Sequence, residues 1–209
     1  MIRLLFCTEA PTDADVMRVL VQRIAGRPVV DPQDFRLRLR GYDMALKLAP
    51  TFAWHAYHSG MDGALFAIDN DGAPHHEPSH LHMMEKRCRV CALQQAARTN
   101  EVLGLPRHGL GPLRFLYAVP VEAIESWLLL AKPDARVDEL SRLGGTPSQR
   151  RELKHRLYGT AAPDQLLMRE VSLPLAEELD LAVLEHRSPS FRHFAAQVRA
   201  EFSSPPAAR

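Results

Sequence analysis

The sequence GALFAID, residues 63–69, is an apolar run that ends in an acid. A run of this length without polar alternation predicts a β-strand buried on both faces, as in parallel sheets that are covered by helices. Residues 2–7 and 115–119 are similar apolar runs and predict two more buried strands. Residues 35–40 (FRLRLR) alternate apolar and basic side chains, which predicts a half-buried strand with one basic face.

Helical patterns lie between these predicted strands. Val16, Val19, Leu20 and Ile24 recur at helical spacing, and residues 43–52, 88–103 and 120–131 also favour helices. Strands that alternate with helices predict an α/β fold with a mainly parallel sheet flanked by helices. We expect this core to span residues 1–132 and a helical C-terminal extension to span residues 133–209.

Composition excludes several classes of protein. The 209 residues are 46% hydrophobic and 24% charged, so the chain can bury a core and is neither disordered nor fibrous. Its 26 Lys and Arg balance 25 Asp and Glu, so net charge does not attract it to nucleic acid as a whole. No apolar run approaches the roughly 18 residues of a membrane span. The N-terminus lacks an apolar stretch typical of a signal peptide. The three cysteines, two of them in a C-x-x-C pair, favour a reduced cytoplasm over a disulfide framework.

Acidic residues follow two of the predicted strands. Glu9 comes after the first strand, and Asp69 and Asp71 close the strand at residues 63–69. Ligands of open parallel sheets bind outside the carboxyl ends of the strands. If the strand extends to Asp71, the two aspartates share a face about 6.5 Å apart, and oxygen ligands of this kind favour Mg²⁺ or Mn²⁺. The alternative is a plain turn at Asn70-Asp71-Gly72.

Two of these stretches resemble the signature motifs of the TOPRIM domain. TEAPTDADV, residues 8–16, is similar to the motif with a Glu after the first strand, and ALFAIDNDG, residues 64–72, to the later D-x-D motif. Asp13 matches the second acid of the branch that includes the overcoming-lysogenization-defect (OLD) nucleases, whereas Ala10 stands where the family has Gly. VEAIESWLLLA, residues 121–131, resembles a helix of small stand-alone bacterial TOPRIM-like proteins of unassigned function.

The resemblance implies a TOPRIM-like fold and a divalent-metal-dependent nuclease or related phosphodiester-processing enzyme. It makes Glu9 a metal ligand or general acid and base, and Asp69 and Asp71 the holders of one or two ions. Asp13 and Glu125 are candidates for a second ion, and Glu125 has the alternative of a polar helix position. The resemblance also implies a role in defence against phage or mobile elements, together with an ABC-type ATPase. This ATPase would be a separate protein, because the chain has no phosphate-loop motif.

Two alternatives to the nuclease stay open. A phosphotransferase of the haloacid-dehalogenase kind also uses D-x-D, although that fold carries the motif after its first strand. A non-catalytic metal-binding effector or interaction subunit would keep the acids for its fold only. The sequence also leaves open DNA or RNA as the partner and monomer or homodimer as the oligomeric state.

A segment rich in histidine and cysteine follows the D-x-D motif. It reads GAPHHEPSHLHMMEKRCRVCAL, residues 72–93, and ends in a C-x-x-C pair. We predict a zinc-binding insertion at residues 70–92 whose ligands are His76, His80, Cys88 and Cys91. His75 and His82 are alternative ligands, and a solvated loop is the alternative structure. Four protein ligands leave no open position, so this Zn²⁺ would be structural.

Local basic patterns provide the candidate nucleic-acid contacts. Arg36, Arg38 and Arg40 alternate along one predicted strand, and Lys154 lies in a basic stretch. A phosphate backbone would be attracted to such a surface. The ordinary alternatives are an edge strand protected by charge and a solvated surface lysine. The larger aromatic residues, by contrast, are expected in the core: Trp54, Tyr57, Trp127 and Phe191.

Overall fold

A parallel β-sheet forms the centre of the molecule. The computed structural model describes residues 1–31, 37–38, 41–77, 80, 87–99, 105–107, 109–121, 123–130 and 147–203. Within these residues the strands are β1 (Ile2–Thr8), β2 (Val29–Val30), β3 (Leu37–Arg38), β4 (Gly63–Ala67) and β5 (Arg114–Ala118). Their order is β2-β1-β4-β5, and β3 also pairs with β1. All of the pairs are parallel, so the α/β prediction is confirmed.

Helices connect and follow the strands. The part of the chain described here contains α1 (Pro11–Ala25), α2 (Tyr42–His58), α3 (Arg89–Ala97), α4 (Ile124–Leu130), α5 (Pro147–Tyr158), α6 (Gln165–Glu178), α7 (Leu181–Arg187) and α8 (Pro189–Phe202). α1 ends at Gly26, whose φ of 64° is a left-handed conformation that glycine adopts without steric cost. α2 continues six residues beyond the predicted end at residue 52, although Pro50 lies within it.

The alternation of side chains along each strand creates two apolar layers. On one face Leu4, Phe6 and Leu65 pack with α1 and with the C-terminal helices. On the other face Leu5 and Phe66 pack with α2 and α3. Both faces of the strands are therefore covered, which explains why their sequences are almost continuously apolar.

The C-terminal helices belong to the same hydrophobic core as the sheet. Residues 147–203 form α5 to α8, and their buried side chains join those of α1 in one cluster. Arg23 on α1 donates hydrogen bonds of 2.8 Å to the carbonyl oxygens of Ala176 and Leu179 at the end of α6. Gln197 on α8 bonds both backbone groups of Tyr117 in β5, at 3.1 and 3.2 Å. The predicted domain boundary at residues 132 and 133 lies outside the described residues.

The aromatic side chains differ from one another in burial. Trp127 and Phe191 are fully buried, as predicted. The prediction for Trp54 is wrong: its side chain is 46% exposed on α2 and its ring lies 3.9 Å from that of His58. Trp54 points away from the sheet because the inward positions of α2 are occupied by Phe52, Ala53 and Ala56.

Candidate functional site

Four carboxylates from separate parts of the chain line one cavity of about 410 Å³. They are Glu9, Asp13, Asp69 and Glu125. Glu9 directly follows β1, and Asp69 comes two residues after β4. Because Thr8 lies opposite Ala67 in the parallel register, the two strands deliver these acids to the same edge of the sheet. The backbone N–H of Asp69 donates a hydrogen bond to the carboxylate of Glu9.

The start of α1 supplies Asp13. Its carboxylate accepts a hydrogen bond of 3.0 Å from the backbone N–H of Ala10, one of the N–H groups that a helix start leaves without a partner. An acid in the first turn is also favoured by the helix dipole. These local preferences fix the carboxylate of Asp13 beside the acids that follow the strands.

The acid from α4 lies deepest in the cavity. Glu125 is only 2% exposed, and the Tyr158 hydroxyl donates a hydrogen bond to its carboxylate. Tyr158 in turn lies 3.0 Å from the hydroxyl of Ser172. Trp127 anchors the same helix through a bond of 2.8 Å from its indole nitrogen to Ser190. The helix therefore presents Glu125 to the cavity while Trp127 enters the core.

Burial and crowding disfavour ionisation of Glu9, Asp13 and Asp69. Burial raises the pKa of Asp69 well above its ordinary value, and the charges of the surrounding carboxylates, Glu9 first among them, raise it further. Burial followed by the charge of Glu125 raises the pKa of Asp13 to about 7. Burial followed by the charge of Asp71 raises the pKa of Glu9. At neutral pH the cavity therefore favours retained protons or a bound cation over a full set of free carboxylates.

Asp71 occupies a different position from the one its spacing suggests. β4 ends at Ala67, and Asp71 has a φ of 45° in the turn that follows, so the strand does not extend to Asp71 and the alternative of a turn at Asn70-Asp71-Gly72 is confirmed. The physical reason is that Asn70 bonds to Ala73 through its backbone carbonyl and its side chain, which closes the turn. Asp71 instead accepts bonds from Arg89, at 3.0 Å, and from Arg150.

Basic residues of α5 border the acidic cavity. Arg150, Arg151 and Lys154 line it opposite the carboxylates, and the positive charge of Lys154 partly offsets the rise in the pKa of Asp13. Arg151 is exposed. The other predicted nucleic-acid contacts are Arg36, Arg38 and Arg40. Arg36 and Arg40 lie outside the described residues, and only the backbone of Arg38 is described, in β3.

The predicted zinc ligands lie together in the structure. The ligand atoms of His76, His80, Cys88 and Cys91 all lie within 4.8 Å of one another. His76 Nδ1 is 3.4 Å from both Sγ atoms. Tetrahedral zinc with ordinary Zn–S and Zn–N bonds separates sulfur from nitrogen by about 3.6 Å. This cluster could therefore bind a metal such as zinc. The alternative ligand His82 lies outside the described residues.

The surroundings of the cluster favour metal binding by His76. Burial, with contributions from His193 and His80, lowers the pKa of His76 to about 4, so its imidazole is neutral at physiological pH, which is the ligating form. Cys88 and Cys91 are buried, at 0% and 5% exposure. The ring of His193, on α8, lies 4.4 Å from that of His76.

Sequence reasoning missed several residues that complete the two sites. Arg89 and Tyr158 touch the acids, and His193 touches the metal-ligand cluster. Arg89 lies between the two cysteines, a position that could have suggested a link between the motifs. Tyr158 and His193 carry no local signal, because only the packing of the C-terminal helices places them there.

Comparison with profiles of known protein families, with curated proteins and with solved structures finds no match to this chain. Among the described residues, no helix combines the length and the apolar character that a membrane crossing requires.

Proposed function

We propose that this protein is a divalent-metal-dependent nuclease whose active site is the acidic cavity. The observation that carries the proposal is the convergence of Glu9, Asp13, Asp69 and Glu125 at the carboxyl ends of β1 and β4, opposite the basic side chains of α5. The pKa values of Glu9, Asp13 and Asp69 are raised, and acids with raised pKa values gathered in one cleft are typical of functional sites. Basic side chains on the opposite wall provide the complement that an anionic substrate needs.

The donor set of the cavity fits Mg²⁺ or Mn²⁺. The four acidic side chains offer oxygen ligands only, which hard divalent cations prefer. Burial first and the charges of neighbouring carboxylates second raise the pKa values of Asp69 and Asp13, and a bound cation would offset both costs of ionisation. A divalent cation held there would supply Lewis-acid activation of a phosphodiester.

The side chains of this chain have separate roles in the proposed reaction. Lys154 and Arg151, which border the cavity, bind and orient the phosphate and stabilise the charge that develops on its oxygens. Glu9 accepts a proton at its carboxylate from the attacking water, a role that its raised pKa favours. Tyr158 and Ser172 position Glu125. Asp71 fixes the turn that carries Asp69.

Membership of the TOPRIM family, in its OLD-nuclease-like branch, is part of the same proposal. Its support is the order of the motifs and the arrangement of Glu9, Asp69 and Asp13 around one cleft at the edge of a parallel sheet. DNA is the proposed substrate, and defence against phage or mobile DNA with a separate ATPase is the proposed setting. The zinc of the Cys/His cluster is proposed to be structural, because its four ligands are all protein side chains.

The test is degradation of DNA and RNA, single- and double-stranded, by the purified chain in Mg²⁺ or Mn²⁺. The variant with Asp69→Ala and Asp71→Ala should lose activity by at least about a hundredfold, as expected when groups that organise transition-state charge are removed. Glu170→Gln, which changes an exposed acid on α6, is the matched control and should retain activity. Undiminished cleavage by the double variant would contradict the proposal.

A non-catalytic role is the second candidate, and the ion pairs of Asp71 favour it. Arg89 and Arg150 already neutralise this acid, as they would in a structural cluster. A wild-type protein that binds neither Mg²⁺ nor Mn²⁺ and cleaves no nucleic acid, while it binds a protein partner, would support this candidate.

A further inference from the structure

The side chain of Arg89 connects the two sites. Arg89 is the first residue of α3 and directly follows Cys88. Its Nη1 donates to the backbone carbonyl of Asp69 and, at 3.0 Å, to the carboxylate of Asp71. The guanidinium also lies 4.6 Å from the centre of the Tyr42 ring. Arg89 therefore joins the start of α3 to the turn that carries Asp69, one of the acids of the proposed active site.

Other hydrogen bonds also hold the turn, among them those from the Asp69 N–H to Glu9 and from the Asn70 side chain to the carbonyl oxygen of Ala73. The backbone N–H of Asn70 donates to Pro120 at 2.9 Å, and that of Ala73 donates to Asn70 at 2.9 Å. Among the described contacts, the charged partners of the turn are Arg89 and Arg150. Charge-assisted bonds are the stronger ones, so the position of Arg89 matters more to the turn than a neutral bond does.

The start of α3 is also where the metal ligands lie. Cys88 is the residue before the helix and Cys91 lies in its first turn, whereas His76 and His80 come from the preceding segment. A metal ion bound by all four would join that segment to α3. His76 and His80 of this segment approach the start of α3 through the cluster itself, so the ion would fix their positions relative to the helix.

We propose that zinc bound by His76, His80, Cys88 and Cys91 controls the acidic cavity, because it fixes the start of α3 and thereby holds Arg89 on the turn at Asp69 and Asp71. The consequence for nuclease activity rests on the proposed function, because the acidic cavity is the active site proposed above. The structural coupling itself does not depend on catalysis. Loss of zinc releases Arg89 and loosens the turn, which moves Asp69 relative to the other acids of the cavity.

Hydrogen exchange of the turn tests the coupling. The amides of Asn70 and Ala73 are the probes, measured in the zinc-loaded protein and after removal of zinc by a transition-metal chelator. The loaded wild type should contain one zinc per chain, and removal should raise the exchange rate of these amides about tenfold, as expected for the loss of a hydrogen bond to a charged group. Re-addition of zinc should restore protection.

Two arginine variants show whether the effect passes through Arg89. Loaded Arg89→Ala should already exchange about tenfold faster at the turn, and zinc removal should change it by less than about threefold, since coupled groups are not additive. Arg156→Ala removes an exposed arginine of α5 and should behave as the wild type. If zinc removal unfolds the whole chain, the comparison of the two zinc-loaded variants still shows whether Arg89 holds the turn.

Three results would overturn the inference. The first is a protein that binds no zinc when zinc is supplied, and the second is a disulfide between Cys88 and Cys91 in place of the metal. The third is an equal change in the exchange rates of the turn amides on zinc removal in the wild type and in Arg89→Ala. Failure of the proposed function is a separate result: the zinc-loaded protein would show the coupling by hydrogen exchange and yet neither bind Mn²⁺ nor cleave nucleic acid.

Discussion

Asp13 on α1 and Glu125 on α4 lie close enough in the acidic cavity that the charge of Glu125 adds to burial in raising the pKa of Asp13 to about 7. These residues are more than a hundred positions apart in the chain. Only the packing of both helices on the same face of the sheet brings them together. A carboxyl group that titrates near neutral pH makes the affinity of the cavity for cations sensitive to pH in the physiological range.

Cation affinity should fall as the solution is acidified. A cation binds the deprotonated form of Asp13, so the affinity for Mn²⁺ should be about tenfold lower at pH 6 than at pH 8, given a pKa of about 7. Calorimetric titration in buffers of different ionisation enthalpy should detect protons released on binding at pH 6. An affinity for Mn²⁺ that is independent of pH between these values would contradict the assignment of Asp13 as a ligand.

The metal-free protein should become less stable as pH rises. The pKa of Asp13 is raised from an ordinary value of 3.8, so the folded state binds this proton more tightly than the unfolded state does. The resulting stability is complete below pH 4 and is lost as pH rises through about 7. Asp13→Asn keeps an acceptor for the Ala10 N–H and removes the repulsion. At pH 8 it should raise the Tm of the cation-free protein by roughly 2–4 °C for each kcal/mol gained.

The same variant should show the opposite effect on function. Asp13→Asn should lower Mn²⁺ affinity, because it replaces a charged carboxylate ligand with a neutral amide. It should stabilise the fold at the same time, since active sites are commonly less stable than they could be. Scanning calorimetry with and without Mn²⁺ measures both effects in one experiment. The contrary result would be a variant that is less stable than the wild type at pH 8, and it would show that the charge of Asp13 does not strain the cavity.

Close packing around Gly63 should make β4 intolerant of a side chain. A Cβ at this position would lie 2.8 Å from the carbonyl oxygen of Arg114 and 2.9 Å from Leu4 Cδ2. Gly63→Ala should therefore destabilise the protein by about 1–3 kcal/mol, measured by denaturant unfolding. Gly111→Ala is the matched control, because its Cβ would meet no atom within 4 Å. Equal stability of the two variants would contradict the described register of β4 and β5.

The sequence predicts the strands well because burial on both faces leaves a strong local pattern. The predicted runs at residues 2–7, 63–69 and 115–119 differ from the observed strands by no more than two residues at either end. The arrangement of the acids is only partly predictable from the sequence. Glu9 and Asp69 follow strands, whereas the turn at Asp71 and its pairing with Arg150 depend on tertiary contacts. The periodicity of the sequence does not indicate which helix lies beside which cavity.

Lys154 should contribute to nucleic-acid binding through charge and not through sequence. It borders the cavity from α5 and is partly exposed, so a phosphate in the cavity would contact it. Lys154→Met should raise KM several-fold in the nuclease assay. It should also reduce the slope of log K against log salt by about 0.9 for double-stranded DNA, the value for one lost phosphate contact.

A lysine outside the cavity gives the matched control for this charge effect. Lys47→Met removes an exposed lysine of α2, on the opposite face of the sheet, and should leave both KM and the salt slope unchanged. Binding to DNA with a changed base sequence should weaken equally in Lys154→Met, because phosphate contacts carry no sequence information. If the two lysine variants have the same salt slope, Lys154 is an ordinary surface residue and the phosphate is held elsewhere.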